Sequence, residues 1–138
     1  MIFLDSWVWL EYVFDGEQAA AAADTIQRAN TDDGGLIAPT VIAEVSYRVR
    51  RVEDETTAEE TVRAIHDFEG IESMPLVDEI AAYAADLRAE YYAPGERELS
   101  YADAIHLATA VVHDDCDVLY SGDPDFEGID AIETVVLS

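Results

Sequence analysis

Short apolar runs rich in strand formers alternate along the whole chain with longer stretches of helical periodicity. Ile2–Leu4, Leu36–Ala38, Ile71–Val77, Val118–Tyr120 and Ile132–Leu137 read as strands, the third weakened by Pro75 at its edge or end. Between them the pattern predicts helices over Trp7–Phe14, closing at Asp15-Gly16, and over Glu17–Ala29, stopped by the breaker Thr31–Gly35. Further helices run from a Thr40 cap to Arg51, over Ala58–Phe68 after the acidic patch Glu53–Glu55, and from an Asp78 cap to Tyr91 before Pro94-Gly95. Strands that alternate with helices call for a three-layer α/β/α sandwich, with a central, mostly parallel sheet of four or five strands. With no repeat or linker, 138 residues form a single domain spanning 1–138.

The last helix organises the rest. In SYADAIHLATA, Ser100 stands where an N-cap belongs and Asp103 where a capping-box acid would sit. Ala104, Ile105, Leu107, Ala108, Val111 and Val112 make too wide an apolar surface for an ordinary surface helix, so most of this helix lies in the core. An acid in its first turn is costly unless its charge is compensated, weakly by the helix dipole or strongly by a bound cation.

Composition changes the picture in one respect. The chain carries 31 acids against 7 basic residues, all of them Arg, for a net charge of −24. Such a domain repels itself and any polyanion at low salt. At molar salt the Debye length falls to ~3 Å and both penalties are screened. Abundant acids, absent Lys and many Ala residues therefore suggest a halophilic cytoplasm and describe the solvent more than the substrate. The apolar half of the composition supports a full core. No apolar run reaches a membrane span, and MIFLD has no basic region before its apolar run, so neither a membrane nor a secretion signal is expected. The single Cys116 excludes an internal disulfide, and no Cys/His spacing suggests zinc.

Four acids share one topological address. Asp5 and Asp123 lie just past the first and fourth strands, and Glu44 and Asp103 lie in the first turns of helices. Each has an ordinary alternative: Asp5 as a helix cap, Glu44 paired with Arg48 at i,i+4, Asp103 in a capping box, Asp123 opening an Asp-Pro turn. Gathered at one rim, however, several carboxylates oppose one another's ionisation, and a divalent cation removes that conflict. Oxygen donors without Cys or His select Mg²⁺ or Mn²⁺. His106, one turn after Asp103, reads as a packed or hydrogen-bonded residue outside the catalytic set. Arg48, Arg50 and Arg51 form the only basic cluster, for RNA phosphates, a docking partner or ion pairs with nearby Glu. Tyr91, Tyr92 and Tyr101 stack on bases or pack; Trp7 and Trp9 fall on different faces of the first helix, where one can serve a protein interface.

MIFLDSWVWLEY, PTVIAEVSYRV, SYADAIHLATA and LYSGDPDFEGI, in that order over nearly the whole chain, resemble the PIN-domain ribonucleases, specifically the VapC toxins of type II toxin–antitoxin systems. The DAIHLA and SGDPDF blocks are the most specific. The resemblance implies a PIN-like fold, with Asp5, Glu44, Asp103 and Asp123 as metal-binding catalytic acids. Asp125 is an additional acid; Ser121 holds the site, with Ser6 beside Asp5 as a further supporting hydroxyl. It also implies Mg²⁺- or Mn²⁺-dependent RNA hydrolysis to 5′-phosphate and 3′-hydroxyl products, a cognate antitoxin that inserts a basic side chain among the acids, and a homodimer. The missing Lys departs from the family and bears on the RNA-binding surface. An RNA-processing nuclease outside a toxin–antitoxin system and a non-catalytic module of the same fold are the alternatives. A receiver-type signalling domain would need a late Lys, which the chain lacks.

Overall fold

The computed structural model describes residues 1–138. Five short strands, β1 (Ile2–Leu4), β2 (Gly35–Ile37), β3 (Ile71–Ser73), β4 (Val118–Ser121) and β5 (Glu133–Val136), form one sheet in the order β3-β2-β1-β4-β5. Every neighbouring pair is parallel. Six α-helices flank it: α1 (Ser6–Val13), α2 (Ala19–Arg28), α3 (Pro39–Val52), α4 (Glu55–His66), α5 (Asp78–Tyr91) and α6 (Tyr101–Val112). No helix is long and apolar enough to cross a membrane.

The topology follows from burial. Ile2, Phe3 and Leu4 are buried as a continuous run, as a central strand covered on both faces requires. The chain moves outward from β1 to β2 and β3, then returns to the other side of β1 to form β4. The strand order therefore reverses at β1, and a crevice opens beyond the carboxyl ends of β1 and β4, where open α/β sheets bind ligands. The core joins the central strands to Val41, Val45 and Val49 of α3 and to Ala104, Leu107 and Ala108 of α6. Both helices thus lay an apolar face on the core and bring their N-terminal turns to the crevice.

The expected elements all form, with local corrections that have physical causes. Thr40 does not cap α3: Ala38 is the N-cap and Pro39 takes the first helical position, where its missing N–H and fixed φ cost nothing. Asp78 likewise lies inside α5, after the extended Val77 cap. The acids Glu53–Glu55 do more than separate helices. The Asp54 side chain accepts from Thr57 N at 2.7 Å, and α4 begins at Glu55, with negative charge at its positive end. α2 is followed by a π-helical turn, Ala29–Asp33, which absorbs part of the Thr31–Gly35 breaker. β3 stops at Ser73, short of Val77; Met74 N still donates to Ile37 O, but Pro75 has no N–H to extend the ladder. Val112, at the end of α6, is exposed. Trp9 packs in the core against Phe68, whereas Trp7 lies half-buried against Gly122, where a Cβ would come within 2.2 Å of the indole ring.

Leu36, buried at the centre of β2, tests this core directly. Leu36→Ala should lower unfolding free energy by about 2–5 kcal/mol in urea titrations; a loss under about 1 kcal/mol would show that β2 is not packed as described. Because net charge is −24, the melting temperature should rise from 0.1 to 2 M KCl as self-repulsion is screened. A salt-independent or falling melting temperature would contradict this.

Candidate metal centre

The site grows from the carboxyl end of β1. Leu4 pairs with Tyr120, which places Asp5 beside Ser121 at the same edge of the sheet. Asp5 N donates to Tyr120 O at 3.1 Å. Asp5 is also the N-cap of α1, accepting from Trp7 N at 3.3 Å, so its expected capping role and its place in the crevice coexist. Its Oδ2 accepts from Ser121 Oγ at 2.8 Å, and its Oδ1 lies 2.7 Å from His106 Nδ1. Asp5 is 4% exposed and His106 is fully buried, so this hydrogen bond is shielded from water.

The other acids arrive on separate elements. Glu44, one turn into α3, accepts from Ser6 Oγ at 2.7 Å through Oε1. The expected Glu44–Arg48 pair does not form, because Glu44 turns toward the crevice. The same Oε1 lies 3.7 Å from His106 Nε2. Asp103 completes the capping box: Ser100 N donates to its Oδ2 at 3.2 Å, and Asp103 N donates to Ser100 Oγ at 3.1 Å. One oxygen each from Asp5 and Asp103 and one ring nitrogen of His106 lie within 4.8 Å of one another. Asp123 N donates to Ser121 Oγ at 3.1 Å, and Asp123 Oδ1 accepts from Asp125 N at 2.9 Å. A continuous polar chain therefore runs Asp123–Ser121–Asp5–His106, with Glu44 and Ser6 at its far end.

Electrostatics separates these groups. Burial opposes ionisation of both Asp5 and His106, but their mutual hydrogen bond and opposite charges outweigh it, leaving Asp5 below and His106 above its ordinary pKa. Asp103 lacks such a partner: burial, reinforced by the charge of Asp5, pushes it up to about 6. Asp123 is also raised, by burial and the nearby charges of Asp125 and Asp5, against the Asp125 backbone N–H. The close approach of Asp5 and Asp103 oxygens, with the Asp5 charge opposing ionisation of Asp103 and Asp123, fits a hard divalent cation.

The remaining residues divide. Ser6 and Ser121 both donate to site carboxylates. The Asp125 carboxylate makes no hydrogen bond or ion pair and acts on the site through its charge on Asp123. The three arginines do not act as one cluster: Arg50 pairs with Glu55 at 3.5 Å, while Arg48 and Arg51 are exposed without a carboxylate partner. Tyr91 hydrogen-bonds Asp130, and Tyr92 and Tyr101 flank the Arg88 guanidinium at 4.5 and 4.4 Å. A cleft of about 350 Å³ lies there, lined by Ala85, Arg88, Ala89, Tyr92 and Tyr101; no crevice acid lines it. His106 is hydrogen-bonded, as expected, but its partner is Asp5. The sequence signal was its spacing: three residues after Asp103, it shares that acid's helix face.

A parallel α/β domain with acids gathered where its strand order reverses defines the class of protein. The PIN domain family model matches residues 2–132, and the chain belongs to that family. No curated protein matches the sequence. Among solved structures, Mycobacterium tuberculosis VapC20, a sarcin–ricin loop cleaving toxin, is similar at 18% identity, with a TM-score of 0.76 over 96% of this chain and 98% of that one. VapBC2 from Rickettsia felis, bound to a promoter DNA fragment, matches at 14% identity and a TM-score of 0.73 over 99% and 98% of the two chains. A toxin–antitoxin complex from Klebsiella pneumoniae matches at 22% identity and 0.70, over 99% and 97%.

The raised Asp103 pKa has a definite sign. Because the folded pKa of about 6 exceeds the ordinary value of 3.8, the contribution of Asp103 to stability is fullest below 3.8 and is lost as pH rises through 6. Asp103→Asn removes the penalty, so its stability relative to wild type should grow, on the order of 1 kcal/mol, between pH 4.5 and 7.5 in EDTA. Urea denaturation at both pH values measures this, and an unchanged difference would contradict the assignment.

Proposed function

We propose that this chain is a metal-dependent endoribonuclease that hydrolyses RNA phosphodiester bonds, the toxin half of a toxin–antitoxin pair. The observation that carries the reading is that oxygens of Asp5 and Asp103 and a nitrogen of His106 lie within 4.8 Å of one another at the strand-order reversal of a PIN domain, with Glu44 Oε1 3.7 Å from the same imidazole. In this reading Asp5 and Asp103 hold a Mg²⁺ or Mn²⁺ ion, and Glu44 and Asp123 complete its surroundings directly or through water. The chemistry supplied by the bound cation is acidification of a water and neutralisation of charge on the phosphoryl oxygens. Ser6 and Ser121 orient carboxylates, and no side-chain nucleophile takes part. Glu44, Arg48 and Arg51 share one face of α3 at i, i+4 and i+7, so the two unpaired arginines lead away from the acids as a track for RNA phosphates.

An antitoxin that supplies a basic side chain is complementary to the same acids. Leu76, Val77, Tyr92 and Tyr101, exposed around α5 and the start of α6, offer the apolar surface for a homodimer. The VapC20 comparison makes a structured RNA loop a suitable first substrate.

The protein, purified in molar KCl, should cleave structured RNA with Mn²⁺ or Mg²⁺, and EDTA should abolish cleavage. Asp5→Asn and Asp103→Asn should each lower the rate by at least about 100-fold, and Mn²⁺ should raise the melting temperature of wild type but of neither variant. Equal cleavage by wild type and both variants would overturn the assignment.

A further inference from the structure

Building on the nuclease reading, we infer that His106 is a positioning residue: its imidazole fixes the Asp5 carboxylate for cation binding. An ionised carboxylate only accepts hydrogen bonds, so the 2.7 Å contact places the proton on Nδ1, which donates to Asp5 Oδ1. Ser121 Oγ and Trp7 N hold the other oxygen. Both Asp5 oxygens are thus restrained by donors from α6, β4 and α1; Oδ2 accepts two of them, and Oδ1, with one, keeps a lone pair for a cation. Phe3 of β1 packs against the imidazole with ring centroids 5.5 Å apart, so the ring that restrains Asp5 is itself restrained.

The opposite edge of the ring supports the same role. Nε2 is buried without a hydrogen-bond partner, and the nearest acid oxygen, Glu44 Oε1, is 3.7 Å away. Here a nitrogen faces each acid, and Asp103 lies one turn earlier on the same helix. The ring lies between two carboxylates, Asp5 just past β1 and Glu44 on α3.

Side-chain amides separate the two edges. The Asn amide nitrogen stands near the position of Nδ1, and the Gln amide reaches toward Nε2. His106→Asn should keep the Mn²⁺ dissociation constant within about threefold of wild type by calorimetry in molar KCl. His106→Phe and His106→Gln should weaken it 10–100-fold, as loss of a residue that orients a ligand does. With saturating Mn²⁺, the Phe variant should lose kcat with little change in KM for RNA. Metal-free crystal structures should show Asp5 in its wild-type rotamer in the Asn variant and rotated in the Phe variant. If Asn binds Mn²⁺ as weakly as Gln, or a folded Phe variant binds it as wild type does, the positioning role is wrong. Should the Phe variant not fold, the Asn–Gln comparison decides. If wild-type protein binds no Mn²⁺, the nuclease reading fails and the Asp5 rotamers alone decide the role of His106.

Discussion

Holding a negative charge dry at the end of the central strand is the constraint on which this site depends. Asp5 directly follows the central strand β1, and it is almost wholly buried. Burying an isolated carboxylate would shift its pKa far up. The contacts with His106, Ser121 and Trp7 N keep Asp5 ionised, and its charge in turn raises Asp103 and contributes to raising Asp123. Burial is the larger cause of the shift in both neighbours, and the charge of Asp5, held by protein donors in place of water, adds to it. The site is loaded with unfavourable charge in a form that a cation relieves.

The fold makes that arrangement reproducible because each participant is anchored twice. Asp5 is a strand end and a helix cap, Asp103 is a site acid and half of a capping box, and Ser121 is a strand residue and a hydrogen-bond relay. Asp123 caps the Pro124–Phe126 turn while facing the crevice. Gly122 between them admits the Trp7 ring, so the loop that carries Asp123 is pressed against α1. Capping and site geometry share the same atoms, which is why the ordinary roles of these acids and their convergence are compatible.

The rest of the acidic character is a different matter. Most of the 31 acids lie on the surface, where each interacts weakly with its neighbours and salt screens the sum. The exposed arginines are few, and Arg50 is already paired with Glu55. The unpaired Arg48 and Arg51 therefore stand out against a negative background, close in sequence to a site acid.

The sequence by itself determined the element order, the parallel sheet and the address of Asp5, Asp123 and Asp103 at strand ends and a first helical turn; Glu44 lies beyond the first turn of α3, which starts at Pro39. These follow from local periodicity and turn chemistry, which need no knowledge of distant partners. The helix starts differ from those expected at Asp78, Thr40 and Ala58, by one, two and three residues, because only the packed backbone decides which residue is extended and caps. The tertiary structure alone decided that Glu44 turns to Ser6 rather than Arg48, and that Arg50 leaves the basic cluster for Glu55. It also decided that the partner of His106 is Asp5, 101 residues away. A hydrogen bond between residues so far apart leaves no periodic trace in either segment; it exists because β1 and α6 are folded against each other.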